Sequence, residues 1–138
     1  MKKAFFIFSS LIVTAAIFCS CSAEESGENK PFAELQSSDI HSASVQLLPP
    51  DEMISITEPK ELTALLHDVV IYEEDNSYSE YDGQSVIFTL EKTDGTTVEI
   101  MAYDPFVVID GIGYKCEYEP CEALNRYTND LLNENMSV

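Results

Sequence analysis

Val86-Ile87-Phe88-Thr89-Leu90-Glu91-Lys92-Thr93-Asp94-Gly95-Thr96-Thr97-Val98-Glu99-Ile100-Met101-Ala102 decides the fold. Both arms are rich in β-branched and aromatic residues, and Asp94-Gly95 breaks them, which predicts a β-hairpin. A two-residue Asp94-Gly95 loop would pair Leu90 with Glu99 and set a carboxylate beside a core leucine. A three-residue loop, Thr93-Asp94-Gly95, pairs Leu90 with Val98, Phe88 with Ile100 and Val86 with Ala102. All six are then apolar and share one face. A one-residue slip would turn that face to solvent, so the second register is expected. Gly95 would take the left-handed position of a type I turn followed by a bulge.

The same reasoning extends in both directions. After Pro105, Phe106-Val107-Val108-Ile109 and Ile112-Gly113-Tyr114-Lys115 flank Asp110-Gly111. A two-residue type I′ turn pairs Ile109 with Ile112 and Val107 with Tyr114. Upstream, residues 44–48 and 53–56 read as strands around Pro49-Pro50-Asp51-Glu52, a turn or loop. Leu62, Leu65, Leu66 and Val69 recur at i, i+3, i+4 and i+7, an apolar helix face. Thr57 is the expected N-cap of that helix, with Pro59 in its first turn. Val69-Val70-Ile71-Tyr72 then turns to extended chain, and residues 73–83 read as a polar loop. A last helix starts at Glu119-Pro120, with Pro120 as its first helical residue and Cys121, Leu124, Tyr127 and Leu131 on one face. The order β-β-α-β-β-β-β-α predicts an α+β fold, an antiparallel sheet with two helices packed on one face.

The N-terminus has another purpose. Met1-Lys2-Lys3 precedes an apolar run over residues 4–18 and then Cys19-Ser20-Cys21. The run is short for a membrane span, which needs about 20 residues. It fits the hydrophobic region of a secretory signal. Phe18-Cys19-Ser20-Cys21 resembles a bacterial lipobox, with phenylalanine where leucine is commonest. The small Ser20 before Cys21 makes Cys21 the expected lipidation site, whereas bulky Phe18 precedes Cys19. An ordinary signal cleaved near Ala23 is the competing reading. The expected organisation is a lipoprotein signal peptide over residues 1–20, a flexible tether over 21–30 and one domain over 31–138. The protein would be lipid-anchored on the extracytoplasmic face of the cell membrane.

The chain of 138 residues carries 25 Asp+Glu against 7 Lys+Arg, a net charge of −18. Loss of Lys2 and Lys3 with the signal leaves the charge still more negative. Nucleic-acid binding through phosphate contacts is excluded by such a balance. The acidic surface keeps the domain soluble and can attract a cationic partner. No Gly-x-Ser-x-Gly, His-Glu-x-x-His or phosphate loop is present, and His41 and His67 are the two histidines. The run from Asp75 to Gly83 has carboxylates at calcium-loop spacing. It has Glu80 where an EF-hand needs glycine and Val86 where it needs glutamate. Neither an enzyme nor a cofactor or metal is expected.

Two cysteines stay in the domain, in Cys116-Glu117-Tyr118-Glu119-Pro120-Cys121. They read either as free, packed thiols or as a disulfide closing a short loop in an oxidising compartment. Their spacing fits zinc motifs poorly. Seven tyrosines and no tryptophan make tyrosine the main candidate for recognition. Tyr78 and Tyr81 lie in the polar loop. Met101 and Tyr103 point to the face opposite Ile100 and Ala102, which a one-sided sheet leaves to solvent. These four are the expected recognition surface.

Several segments carry a likeness: Ser38-Asp39-Ile40, Leu48-Pro49-Pro50-Asp51, Asp68-Val69-Val70-Ile71-Tyr72, Asp75-Asn76-Ser77-Tyr78, Asp82-Gly83-Gln84, Ile100-Met101-Ala102-Tyr103 and Tyr118-Glu119-Pro120-Cys121-Glu122-Ala123-Leu124. Through them, residues 31–132 resemble a domain of uncharacterised Firmicutes lipoproteins. That domain is also similar to the extracellular end of membrane zinc-peptidase sensors of the antirepressor type. The resemblance implies a sensory or ligand-binding accessory role and no catalytic residue. The zinc-peptidase motif of those sensors is absent. The expected function is a non-enzymatic binding or sensory domain for an envelope ligand or protein. The rival expectation is an acidic inhibitor or immunity protein for a cationic envelope-active enzyme.

Overall fold

The computed structural model of the chain describes residues 29–137. Seven antiparallel strands form one sheet, and in chain order they are β1 (Ile40–Leu48), β2 (Glu52–Ile56), β3 (Ile71–Glu74), β4 (Ser85–Lys92), β5 (Thr97–Tyr103), β6 (Phe106–Ile109) and β7 (Ile112–Cys116). Across the sheet they run β2-β1-β4-β5-β6-β7-β3. Helix α1 (Lys60–His67) follows β2, and helix α2 (Tyr118–Met136) ends the chain. The fold is therefore α+β, with the expected elements in the expected order and one strand more. The extended stretch after α1 is itself a strand, β3, on the sheet edge beside β7. Asn29, which the sequence reading assigns to the tether, exchanges two backbone hydrogen bonds with Ile71 of that edge.

Both hairpins take the expected registers. Leu90 faces Val98, Phe88 faces Ile100 and Val86 faces Ala102. Lys92 N–H donates to Thr96 O at 2.8 Å, which leaves Thr93, Asp94 and Gly95 as the loop. Gly95 has φ +86°, the left-handed value that a side chain resists. Asp94 holds the exit of the turn by accepting from Thr96 N–H at 2.9 Å and from the Thr96 hydroxyl at 2.6 Å. Those two donors keep the Asp94 carboxyl below its ordinary pKa. In the second hairpin Ile109 faces Ile112 and Val107 faces Tyr114. Asp110 and Gly111 both have positive φ, as a type I′ turn requires.

One face of the sheet makes the core with the helices. Val45, Leu47, Val86, Phe88, Leu90, Ile100, Ala102 and Val107 are fully buried there, together with Leu62 and Leu66 of α1 and Leu124 of α2. Phe88 stacks on Tyr127 of α2 with ring centroids 6.4 Å apart. Phe32 and Leu35 close the same core from the N-terminal turn.

The helix starts differ from expectation by one or two residues. Pro59, not Thr57, is the cap of α1: its carbonyl accepts from Thr63 N–H at 2.8 Å and from the Thr63 hydroxyl at 2.7 Å. Its ring presets the backbone for the helix. Helix α2 is capped by Glu117 and starts at Tyr118, so Pro120 is its third residue. That position still lies in the first turn, where a missing N–H costs nothing.

Candidate functional site

The sheet face turned away from the helices is where the structure departs most from the expected open surface. Beyond β3 the chain leaves the sheet edge. Asp75 N–H donates to Gly113 O at 2.8 Å, and Gly113 N–H donates to the Asn76 side chain at 2.8 Å. These bonds turn residues 75–84 over the end of the sheet formed by β5, β6 and β7. Asp75 also accepts from Ser77 N–H at 3.0 Å and lies 3.8 Å from the Lys115 ammonium. The Ser77 bonds first, and Lys115 after them, hold the Asp75 carboxyl below its ordinary pKa. Lys115 itself lies 3.2 Å from Glu73.

Two glycines admit the loop. A Cβ on Gly113 would sit 2.4 Å from Asp75 O and 2.6 Å from the Tyr78 ring. The missing side chain is the space that Tyr78 fills. A Cβ on Gly83 would come within 3.2 Å of the Tyr103 hydroxyl. Between them Tyr81 packs on Phe106 with ring centroids 5.5 Å apart. The loop thus covers Phe106 and Val108, both buried on this second face. A short 3₁₀ turn, Ser77–Glu80, carries Tyr78.

The four residues of the expected recognition surface come together. Tyr78, Tyr81, Met101 and Tyr103 line one groove of about 200 Å³ with Asp82, Gly83 and Ser85. Their exposures differ, however. Tyr81 is 57% exposed, Tyr78 and Met101 are half-buried, and Tyr103 is buried at 9%. Tyr103 is therefore a wall of the groove and part of the packing, not a free surface side chain. The physical reason is Gly83, which lets the loop backbone settle against the Tyr103 ring.

A second groove, of about 340 Å³, shares Asp82, Gly83 and Tyr103 with the first. It continues over Asp104, Glu122, Asn125 and Asn129 to the flank of α2. Burial, with the Glu122 carboxylate after it, raises the Asp104 pKa. A larger groove of about 450 Å³ lies between the N-terminal turn and the β4–β5 hairpin, with Lys92 and Asp94 on its rim. It contains none of the four residues of the expected recognition surface.

Cys116 is half-buried and Cys121 buried, and both are free thiols. Cys21, the expected lipidation site, lies outside the described residues. No group of three or more His, Cys, Asp or Glu side chains able to hold a metal ion occurs among the described residues. No helix among them is long and apolar enough to cross a membrane.

Sequence reasoning did not see the loop closing over Phe106 and Val108. One signal was available: Gly113 stands inside a strand pattern, where glycine commonly marks the close approach of another segment. Comparison of the chain with protein-family models, with curated proteins and with solved structures finds no match.

Proposed function

We propose that the protein is a lipid-anchored, extracytoplasmic, non-enzymatic binding domain that holds a protein partner in the tyrosine-lined groove. The carrying observation is the convergence of Tyr78, Tyr81, Met101 and Tyr103 on that one groove. Its size supports a protein partner over a free small ligand. Small-molecule pockets run from about 300 to 1,000 Å³ and enclose most of the ligand. A groove of about 200 Å³ suits one side chain of a partner. Its chemistry favours a cationic one. Tyrosine faces attract lysine and arginine heads. Asp82 stands in the same groove, Asp104 and Glu122 stand in the adjoining one, and the whole chain carries a net charge of −18.

The charge also favours the rival reading, an acidic inhibitor or immunity protein for a cationic envelope-active enzyme. The two readings differ in kinetics. An inhibitor steered by charge has an association rate that falls steeply with salt. A partner recognised through the groove loses affinity mainly through faster dissociation when Tyr81 or Met101 is truncated.

The anchor and the groove are tested separately. Fatty-acid labelling marks the wild type and Cys19→Ala but not Cys21→Ala; label persisting in Cys21→Ala contradicts the anchor. Capture from envelope extract by the anchored protein retains a partner that Tyr81→Ala with Met101→Ala loses and Ser44→Ala keeps. Equal retention by all three contradicts the groove.

A further inference from the structure

We propose that Cys116 and Cys121 form an intrachain disulfide that ties the end of β7 to the first turn of α2. Cys116 is the last residue of β7, and its side chain packs against the core on the helix side. Cys121 is the fourth residue of α2 and is 1% exposed. Both thiols reach backbone carbonyls at the start of β6. Cys116 Sγ donates to Pro105 O at 3.4 Å, and Cys121 Sγ donates to Phe106 O at 3.7 Å, so two neighbouring residues of the chain receive both sulfurs. Cys116 N–H also donates to Pro105 O at 3.1 Å, which holds the strand end in place. The neighbouring Cys116 thiol first, and burial after it, hold the Cys121 thiol well above its ordinary pKa. Two sulfurs held on the carbonyls of consecutive residues, one from a strand end and one from the first turn of the next helix, are placed for closure of the short loop between them.

The chemistry is thiol–disulfide exchange with a small or protein disulfide, the oxidant expected of the extracytoplasmic compartment. The half-buried Cys116, as thiolate, attacks one sulfur of that disulfide and releases the other as a thiolate. Cys121 then gives up its proton and attacks the Cys116 sulfur. The intrachain S–S bond forms, and a second thiol leaves. Two cysteine thiols are oxidised and one external disulfide is reduced to two thiols. Cys121 is buried away from an external disulfide, so the half-buried Cys116 is the entry point.

The sequence provides a clean readout. Lys115 and Arg126 bracket both cysteines, so trypsin releases Cys116-Glu117-Tyr118-Glu119-Pro120-Cys121-Glu122-Ala123-Leu124-Asn125-Arg126 as one peptide. The full chain is incubated with oxidised glutathione, unfolded, alkylated without reductant and digested. The expected peptide carries no alkyl group and is about 2 Da lighter than its dithiol form. After reduction it takes up two alkyl groups. Reduction is also expected to lower the melting temperature by roughly 10 °C, the scale for a short closed loop. In Cys116→Ser the melting temperature is expected not to respond to reductant. Two alkyl groups without reduction, a persistent glutathione adduct on the wild type, or an equal response of Cys116→Ser to reductant would overturn the bridge.

Discussion

The two faces of the sheet are made by the same strands and are finished in different ways. On the helix side Val45, Phe88 and Ile100 lie opposite one another across β1, β4 and β5, and all are fully buried. Two amphipathic helices close that side, as helix stripes commonly do. On the other side Gln46, Ile87, Met101, Val108 and Gly113 form the corresponding row across β1, β4, β5, β6 and β7. Only its far end is covered, by a loop that rests on a glycine. The β1 end stays open, with Ser44 and Gln46 half-buried and Met53 of β2 at 68% exposed. A face sealed by helices serves stability. A face half-sealed by a loop holds a groove at the boundary between covered and open sheet, and the tyrosine groove lies at that boundary.

Truncations rank the two faces. Phe88→Ala empties the centre of the helix side and removes the stack on Tyr127, and is expected to cost about 3–5 kcal/mol in denaturant unfolding. Gly113→Ala acts on the other side by pushing a methyl group into Asp75 O and the Tyr78 ring. Its expected cost is about 1–3 kcal/mol, the range for overpacking. Faster hydrogen exchange should be confined to residues 75–84 and their neighbours. A cost for Gly113→Ala near zero would mean that the loop is not seated on the sheet, and the contrast between the faces would fail.

Register is what assigns each residue to its face. Gly95 has open space around its Cα, so Gly95→Val meets only the left-handed backbone penalty, about 1–2 kcal/mol. Asp94→Ala loses the exposed turn bonds to Thr96 and should cost less. Equal costs would show that the turn does not need its left-handed residue. Tyr81→Ala sits at the small end, within about 1 kcal/mol, because Tyr81 is more than half exposed and its one ring contact is Phe106. Tyr103→Ala should cost more than Tyr81→Ala, since Tyr103 is buried against Gly83.

The helix side was legible in the sequence because its signals are local. Period-two alternation and two loop chemistries set both hairpin registers, and the spacing of Leu62, Leu65 and Leu66 set the face of α1. The other side was less legible because what covers it comes from far along the chain. Strand β3 is four residues long with one buried residue, Ile71, so alternation could not establish it. Burial of Phe106 and Val108 depends on residues 75–84, whose polar composition reads as a solvated loop. Tyr78, Tyr81, Met101 and Tyr103 could be chosen by side-chain chemistry alone. That Tyr103 packs while Tyr81 projects depends on where Gly83 falls, which no periodicity encodes.

The central claim, that the tyrosine groove is the contact site and prefers cations, meets its most direct test in an amide-resolved NMR titration with a short lysine- and arginine-containing peptide at physiological salt. Saturable shifts are expected at Tyr78, Tyr81, Asp82, Met101 and Tyr103, lost in Tyr81→Ala, while Ser44 and Gln46 stay still. Shifts spread evenly over the acidic surface, or unchanged in Tyr81→Ala, would contradict the claim.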